Sequence, residues 1–151
     1  MWGQLDASPR AIRRQTGAMD TNDPDEPLTG KVIAAAYNVQ RSFGYGFAET
    51  VYRRALAVEL QFIGVPVARE LSYELFHRGV SVGAYRADLV VDGRLIVEVK
   101  TGKVLESVAR AQLLNYLRAA DLPLGLLVHF GPNGASIKRV ISSPEYRSRW
   151  K

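Results

Sequence analysis

From Leu28 onward the hydrophobic and polar positions follow a recognisable alternation of periods. Val32, Ile33, Ala36, Val39 and Phe43 recur at helical spacing, so Leu28–Phe43 reads as a helix with Thr29 as its cap. Gly44 and Gly46 break it. A second helix spans Ala48–Ile63, with Val51, Tyr52, Ala55, Leu56, Phe62 and Ile63 as its apolar side, and Gly64 and Pro66 close it. Period two then takes over in Val67–Phe76, and Arg78-Gly79 turns the chain into Val80–Val91. Arg94–Lys100 is a further strand. Glu106–Ala120 returns to helical spacing, with Leu105, Val108, Ala109, Leu113, Tyr116, Leu117 and Ala120 as its stripe. Leu124–Phe130 is nearly all apolar, as expected of a strand covered on both faces. Gly131-Pro132-Asn133-Gly134 leads into a last strand, Ile137–Ile141. The order α-α-β-β-β-α-β-β predicts an α/β fold, a mixed sheet flanked by helices.

The segment Tyr85–Lys100 fixes a register. Its odd positions Tyr85, Ala87, Leu89, Val91, Leu95, Val97 and Val99 are apolar or aromatic, and its even positions include Arg86, Asp88, Arg94, Glu98 and Lys100. A two-residue loop at Asp92-Gly93 sets the odd face of one strand beside the even face of the other, which a half-buried hairpin does not tolerate. A three-residue loop, Val91-Asp92-Gly93 with Gly93 left-handed, pairs Val90 with Arg94. Asp88 then lies opposite Ile96 and diagonal to Glu98, with Lys100 on the same face.

Length and composition bound the rest. The 151 residues suffice for one domain, placed at 28–142, between an N-terminal tail of residues 1–27 expected to be disordered and a basic C-terminal tail of residues 143–151. Met19 is a candidate alternative start. The absence of cysteine excludes thiolate metal sites and cysteine-held iron–sulfur clusters. No long apolar run spans a membrane, and the expected compartment is the cytoplasm. Net charge is +5, but residues 1–28 carry −2, which leaves +7 on the patterned chain and suits a polyanionic partner.

Candidate chemistry falls on that charged face. Mg²⁺ or Mn²⁺ takes hard oxygen ligands and keeps several waters. Asp88, Glu98 and the Val99 carbonyl supply part of such a shell, and Lys100 can orient water or offset charge on a phosphate. Taken alone, an Asp, a Glu and a Lys at these spacings also describe an ordinary surface ion pair. Gln112 and Tyr116, four apart in the apolar stripe of the third helix, face either a polar cleft or a buried partner. Glu49, three residues before Tyr52, is either a first-turn acid or a third carboxylate for the same metal. Lys31, Arg41, Arg53, Arg54, Arg86, Arg110 and Arg118 are candidate phosphate contacts. His77 and His129 are too few and too isolated for zinc.

These residues carry a resemblance. Gly46–Tyr52 reads GxxExxY, and the chain resembles the bacterial family named for that motif, within the PD-(D/E)xK nuclease superfamily. The similarity runs from about Leu28 to Ile141 and includes Tyr85–Asp88, Glu98–Lys100, Ala111–Leu117 and Phe130-Gly131. Gln112-x-x-x-Tyr116 also resembles the QxxxY element of RecB-like and Cas4-like nucleases. Gln40 and Ala109 stand where relatives often have histidine. The resemblance implies a restriction-endonuclease-like core, with Asp88, Glu98 and Glu49 as metal ligands and Lys100 as the catalytic lysine. Gln112 and Tyr116 come with it as supporting residues, and Tyr52 and Arg86 are supporting candidates as well. The expected function is metal-dependent hydrolysis of nucleic acid, DNA above all, with no membrane partner and with a homo-oligomer or larger assembly possible. The alternatives are a non-cleaving nucleic-acid-binding module and a structural partner of the same fold.

Overall fold

The computed structural model describes residues 26–147. The expected N-terminal tail, with Met19, lies almost wholly outside the described residues, and of the expected C-terminal tail residues 143–147 are described. The elements are α1 (Glu26–Phe43), α2 (Glu49–Phe62), β1 (Val67–His77), β2 (Val80–Val91), β3 (Leu95–Thr101), α3 (Glu106–Ala120), β4 (Leu124–Gly131), β5 (Gly134–Ile141) and a short α4 (Pro144–Arg147). The five strands form one sheet in the order β1-β2-β3-β4-β5. All neighbours are antiparallel except β3 and β4, which run parallel. A parallel pair needs a crossover, and α3 supplies it. The α/β expectation holds, and only α4 was not foreseen.

Each face of the sheet has its own core. On one, Val32, Ile33, Val39, Tyr52, Leu56 and Leu60 of α1 and α2 meet Leu89, Val91, Leu95, Val97, Val99 and Phe130. On the other, Ala109, Leu113 and Leu117 of α3 meet Tyr85, Ala87, Val90, Ile96, Leu127 and Val140. Gly125 lets α3 approach β4 closely, because a Cβ there would lie 3.0 Å from Leu113 Cδ1. The helix ends are closed by local bonds. Beyond α2, the Gly64 N–H donates to Gln61 O and the Val65 N–H to Leu60 O, both at 3.0 Å, with Gly64 left-handed.

Several expectations need correction. Thr29 lies inside α1, fully buried, with no hydrogen-bond partner for its hydroxyl, so it is no cap. On α2 the buried side is Tyr52, Leu56, Ala57 and Leu60, while Phe62 and Ile63 at its end are exposed. On α3, Leu105 and Val108 are exposed, which narrows the stripe to Ala109, Leu113 and Leu117. The odd face of β2 is also not continuous. Leu89 and Val91 pack under α1 and α2, whereas Tyr85 and Ala87 pack under α3. The switch falls at Asp88, whose place opposite Glu70 is the gap in the β1–β2 ladder, and Glu70 has a left-handed backbone with φ 54°. One left-handed residue interrupts the alternation that a regular strand imposes.

The β2–β3 turn also differs in detail. The loop holds three residues, as parity demanded, but they are Asp92, Gly93 and Arg94, because Val91 pairs with Leu95. Asp92 and Gly93 both have positive φ, and the Arg94 N–H closes the turn on Val91 O at 3.1 Å. The register moves by two positions and keeps Leu89, Val91, Leu95, Val97 and Val99 on one face, but it sets Asp88 directly across from Glu98 instead of diagonal to it.

Candidate active site

The β2–β3 ladder pairs Val91 with Leu95, Val90 with Ile96 and Leu89 with Val97, and stops there. At the next position side chains replace the backbone bonds. Asp88 Oδ2 accepts the Val99 N–H at 2.8 Å, and the Asp88 N–H donates to Glu98 Oε1 at 3.5 Å. The second oxygen of Asp88, Oδ1, accepts from Arg53 Nη1 at 3.1 Å. Arg53 comes from α2, and its Nη2 also lies 3.4 Å from Glu70 Oε1. Glu70 in turn stands 4.0 Å from Arg86.

Glu98 is 6% exposed, and its carboxyl is pushed up to about 8, by burial first and by the adjacent Asp88 carboxylate second. The Asp88 N–H and the Lys100 ammonium pull the other way. A buried carboxyl that resists ionisation beside a second carboxylate is relieved when a cation arrives. The donor set therefore fits a hard divalent ion such as Mg²⁺ or Mn²⁺ through Asp88 and Glu98.

The other expected residues fall in different places. Lys100 is half-buried two residues beyond Glu98 and lines a recess of about 90 Å³ with His129, Ser136, Lys138 and Glu106. His129 is held there by a 2.6 Å ring contact with Gly102 O. Tyr116 stacks on Tyr85 with centroids 3.9 Å apart, and Tyr85 stacks on Tyr73 at 5.2 Å. The Tyr85 hydroxyl donates to Tyr116 O at 2.8 Å. Burial raises the pKa of both Tyr85 and Tyr116, and the Glu98 charge adds to it in each, so the stack borders the carboxylates. Gln112 is exposed, one turn before Tyr116, which removes the buried-partner reading and leaves the polar-cleft reading as an expectation. Val99 contributes its N–H, which orients Asp88, while its carbonyl as a ligand stays an expectation. Arg86 is a 68% exposed side chain at the rim.

Glu49 and Tyr52 belong to the loop side of α2. Tyr52 is fully buried, donates its hydroxyl to Gly44 O at 2.8 Å and stacks on Phe130 at 4.6 Å. It ties the loop after α1 to the end of β4, and its role as a supporting site residue stays an expectation. Glu49 opens α2, and among the described residues no three His, Asp or Glu side chains come together to hold one metal ion. The acid expected from α2 is thus not gathered with Asp88 and Glu98; Arg53, one turn further along, is. Sequence reasoning gave Arg53 only a general phosphate role. Its spacing of four from Glu49 was the one available signal that it shares that helix face.

A family model described as the PD-(D/E)XK nuclease superfamily matches residues 26–140, and the chain belongs to that superfamily. Among solved structures, that of SSO0001 is similar at 18% identity with a TM-score of 0.47, covering 83% of this chain and 64% of its own. The present chain therefore spans under two thirds of that protein. A phage-related exonuclease from Haemophilus somnus 129PT is similar at 11% identity with a TM-score of 0.46, covering 92% of this chain and 85% of its own. No curated protein matches the chain. Among the described residues no helix is long and apolar enough to cross a membrane.

Proposed function

We propose that this member of a nuclease superfamily, one of the GxxExxY type, hydrolyses phosphodiester bonds of DNA with Mg²⁺ or Mn²⁺. The observation that carries the reading is the contact of Asp88 with the buried Glu98 at the point where the β2–β3 ladder ends. Asp88 and Glu98 would hold the ion, which would supply an activated water and neutralise charge on the phosphate. Val99 holds Asp88 in its rotamer through the 2.8 Å N–H bond, so the acid is positioned before any ligand arrives. Lys100 places a positive charge beside Glu98, where it orients the attacking water or meets negative charge developing on the phosphate. Tyr85 and Tyr116 close the α3 side of the carboxylates and limit water there. A DNA substrate goes with the expected cytoplasmic location.

Cleavage of single- and double-stranded DNA with Mg²⁺ or Mn²⁺ tests this reading. Asp88→Asn and Lys100→Ala should each lose about 100-fold or more in rate. If both variants cut as the wild type does, the assignment fails. The 3.1 Å Arg53–Asp88 pair favours a second reading, in which Arg53 permanently occupies Asp88 and the fold binds DNA without cutting it. Salt-sensitive binding with no cleavage under any of these conditions selects that reading.

A further inference from the structure

Arg53 is placed oddly for an arginine on a helix surface. Its side chain is only 19% exposed, and its two terminal nitrogens serve different acids, Asp88 at 3.1 Å and Glu70 at 3.4 Å. Neither contact is the two-pronged pairing that a guanidinium makes when it is fixed for good. Asp88 Oδ1 has Arg53 as its partner, and Oδ2 accepts from Val99. A divalent ion at Asp88 would compete with that guanidinium for the same carboxylate and repel it.

The displaced group has a place to go. Arg53, Arg54, Arg69 and Glu70 line an open, mainly polar cleft of about 240 Å³. Three arginines and one carboxylate line it; Glu70 is 3.4 Å from Arg53 and is also approached by Arg86 at 4.0 Å. The left-handed backbone of Glu70 (φ 54°) marks where the β1–β2 ladder lacks its Glu70–Asp88 pair, so the cleft and the carboxylate site adjoin at one irregularity of the sheet. An excess of forked donors in an open cleft matches a phosphate group.

We propose that Arg53 is a phosphate-binding residue held in reserve on Asp88: a divalent ion releases it, and it joins Arg54 and Arg69 to hold a nucleic-acid phosphate beside the one that is cut. The inference rests on the nuclease reading for the ion at Asp88. It gives the apo site a counter-charge and couples ion binding to substrate binding, each favouring the other.

Two measurements test it on the full chain. The first is Mn²⁺ binding without DNA, followed by the loss of the free-ion paramagnetic signal, for wild type, Arg53→Gln, Arg53→Lys and Asp88→Asn. The second is anisotropy of a labelled duplex in Ca²⁺, with and without a 5′-phosphate. Arg53→Gln should bind Mn²⁺ about threefold or more tighter, since its competitor is gone, and DNA about tenfold weaker. Arg53→Lys should fall between on both, and it decides the matter if the Gln variant does not fold. An equal DNA loss on both duplexes assigns an internal phosphate, and a loss confined to the phosphorylated one assigns a terminal phosphate. If Arg53→Gln binds Mn²⁺ no tighter, or binds DNA as well as wild type, Arg53 is a structural prop and the proposal is overturned. If Asp88→Asn binds Mn²⁺ as wild type does, the ion site itself fails and the nuclease reading goes with it.

Discussion

Glu98 carries a heavy electrostatic burden. Its carboxyl moves from an ordinary 4.5 to about 8 on folding, so between those values the folded state holds a proton that the unfolded state has released. That contribution to stability is fully present below about 4.5 and is lost as the pH rises through about 8. Urea unfolding at pH 5 and pH 9 should show the apo wild type losing stability with rising pH. Glu98→Gln, which keeps the shape and no charge, should flatten that slope. The residue itself was legible: Asp88, Glu98 and Lys100 stand at spacings that the charged face of two strands explains. Arg53 was not, because its partner lies 35 positions away and depends on where α2 crosses the sheet. Of the two readings of Gln112, the buried partner falls, because the apolar stripe of α3 is one row narrower than the sequence suggests and leaves the amide exposed.

At the level of elements, periodicity located nearly every helix and strand, and the ends moved by one to three residues, as fraying and bulges allow. Parity gave the length of the β2–β3 loop but not which three residues form it. Both choices keep the greasy faces aligned, and only the positive φ of Asp92 together with Gly93 separates them. The face change at Asp88 could not be read, since Glu70 gives no sequence sign of a left-handed backbone. Tyr52 shows how a motif position can serve an element. It joins α2, the loop after α1 and Phe130 of β4. Tyr52→Phe should cost about 1 kcal/mol through the orphaned Gly44 carbonyl. Tyr52→Ala should cost about 3–5 kcal/mol through the cavity, with both read from urea midpoints at constant slope.

For the molecule as a whole, the order of elements in the sequence was enough to expect a mixed sheet between helices. The parallel β3–β4 pair follows from the single helix between those strands. What no local pattern states is the division into two cores, with the carboxylates set at the end of the ladder between them. The charge distribution acts at the same scale. A net +5 with the excess on the folded part predicts association with DNA that weakens as salt rises, with a log–log slope of about −0.9 per phosphate contacted. Titrations between low and moderate salt should give such a line, and Arg54→Gln should reduce its slope by about one contact. A slope near zero would argue against a nucleic-acid partner altogether.

The bond from the Val99 amide to Asp88 gives the protein a resident spectroscopic probe. In an ordinary sheet that amide would answer only to its neighbour strand, whereas here it answers to a carboxylate at 2.8 Å. Anything that changes the electron density on Asp88 must register in the nitrogen and proton resonances of Val99. A ¹⁵N-labelled sample titrated with Mg²⁺ should show this resonance moving early and far, with that of Val97, set in the regular ladder, nearly still. Its amide deuteration should slow in step, so occupancy of the acid can be followed without a substrate, a dye or a single turnover.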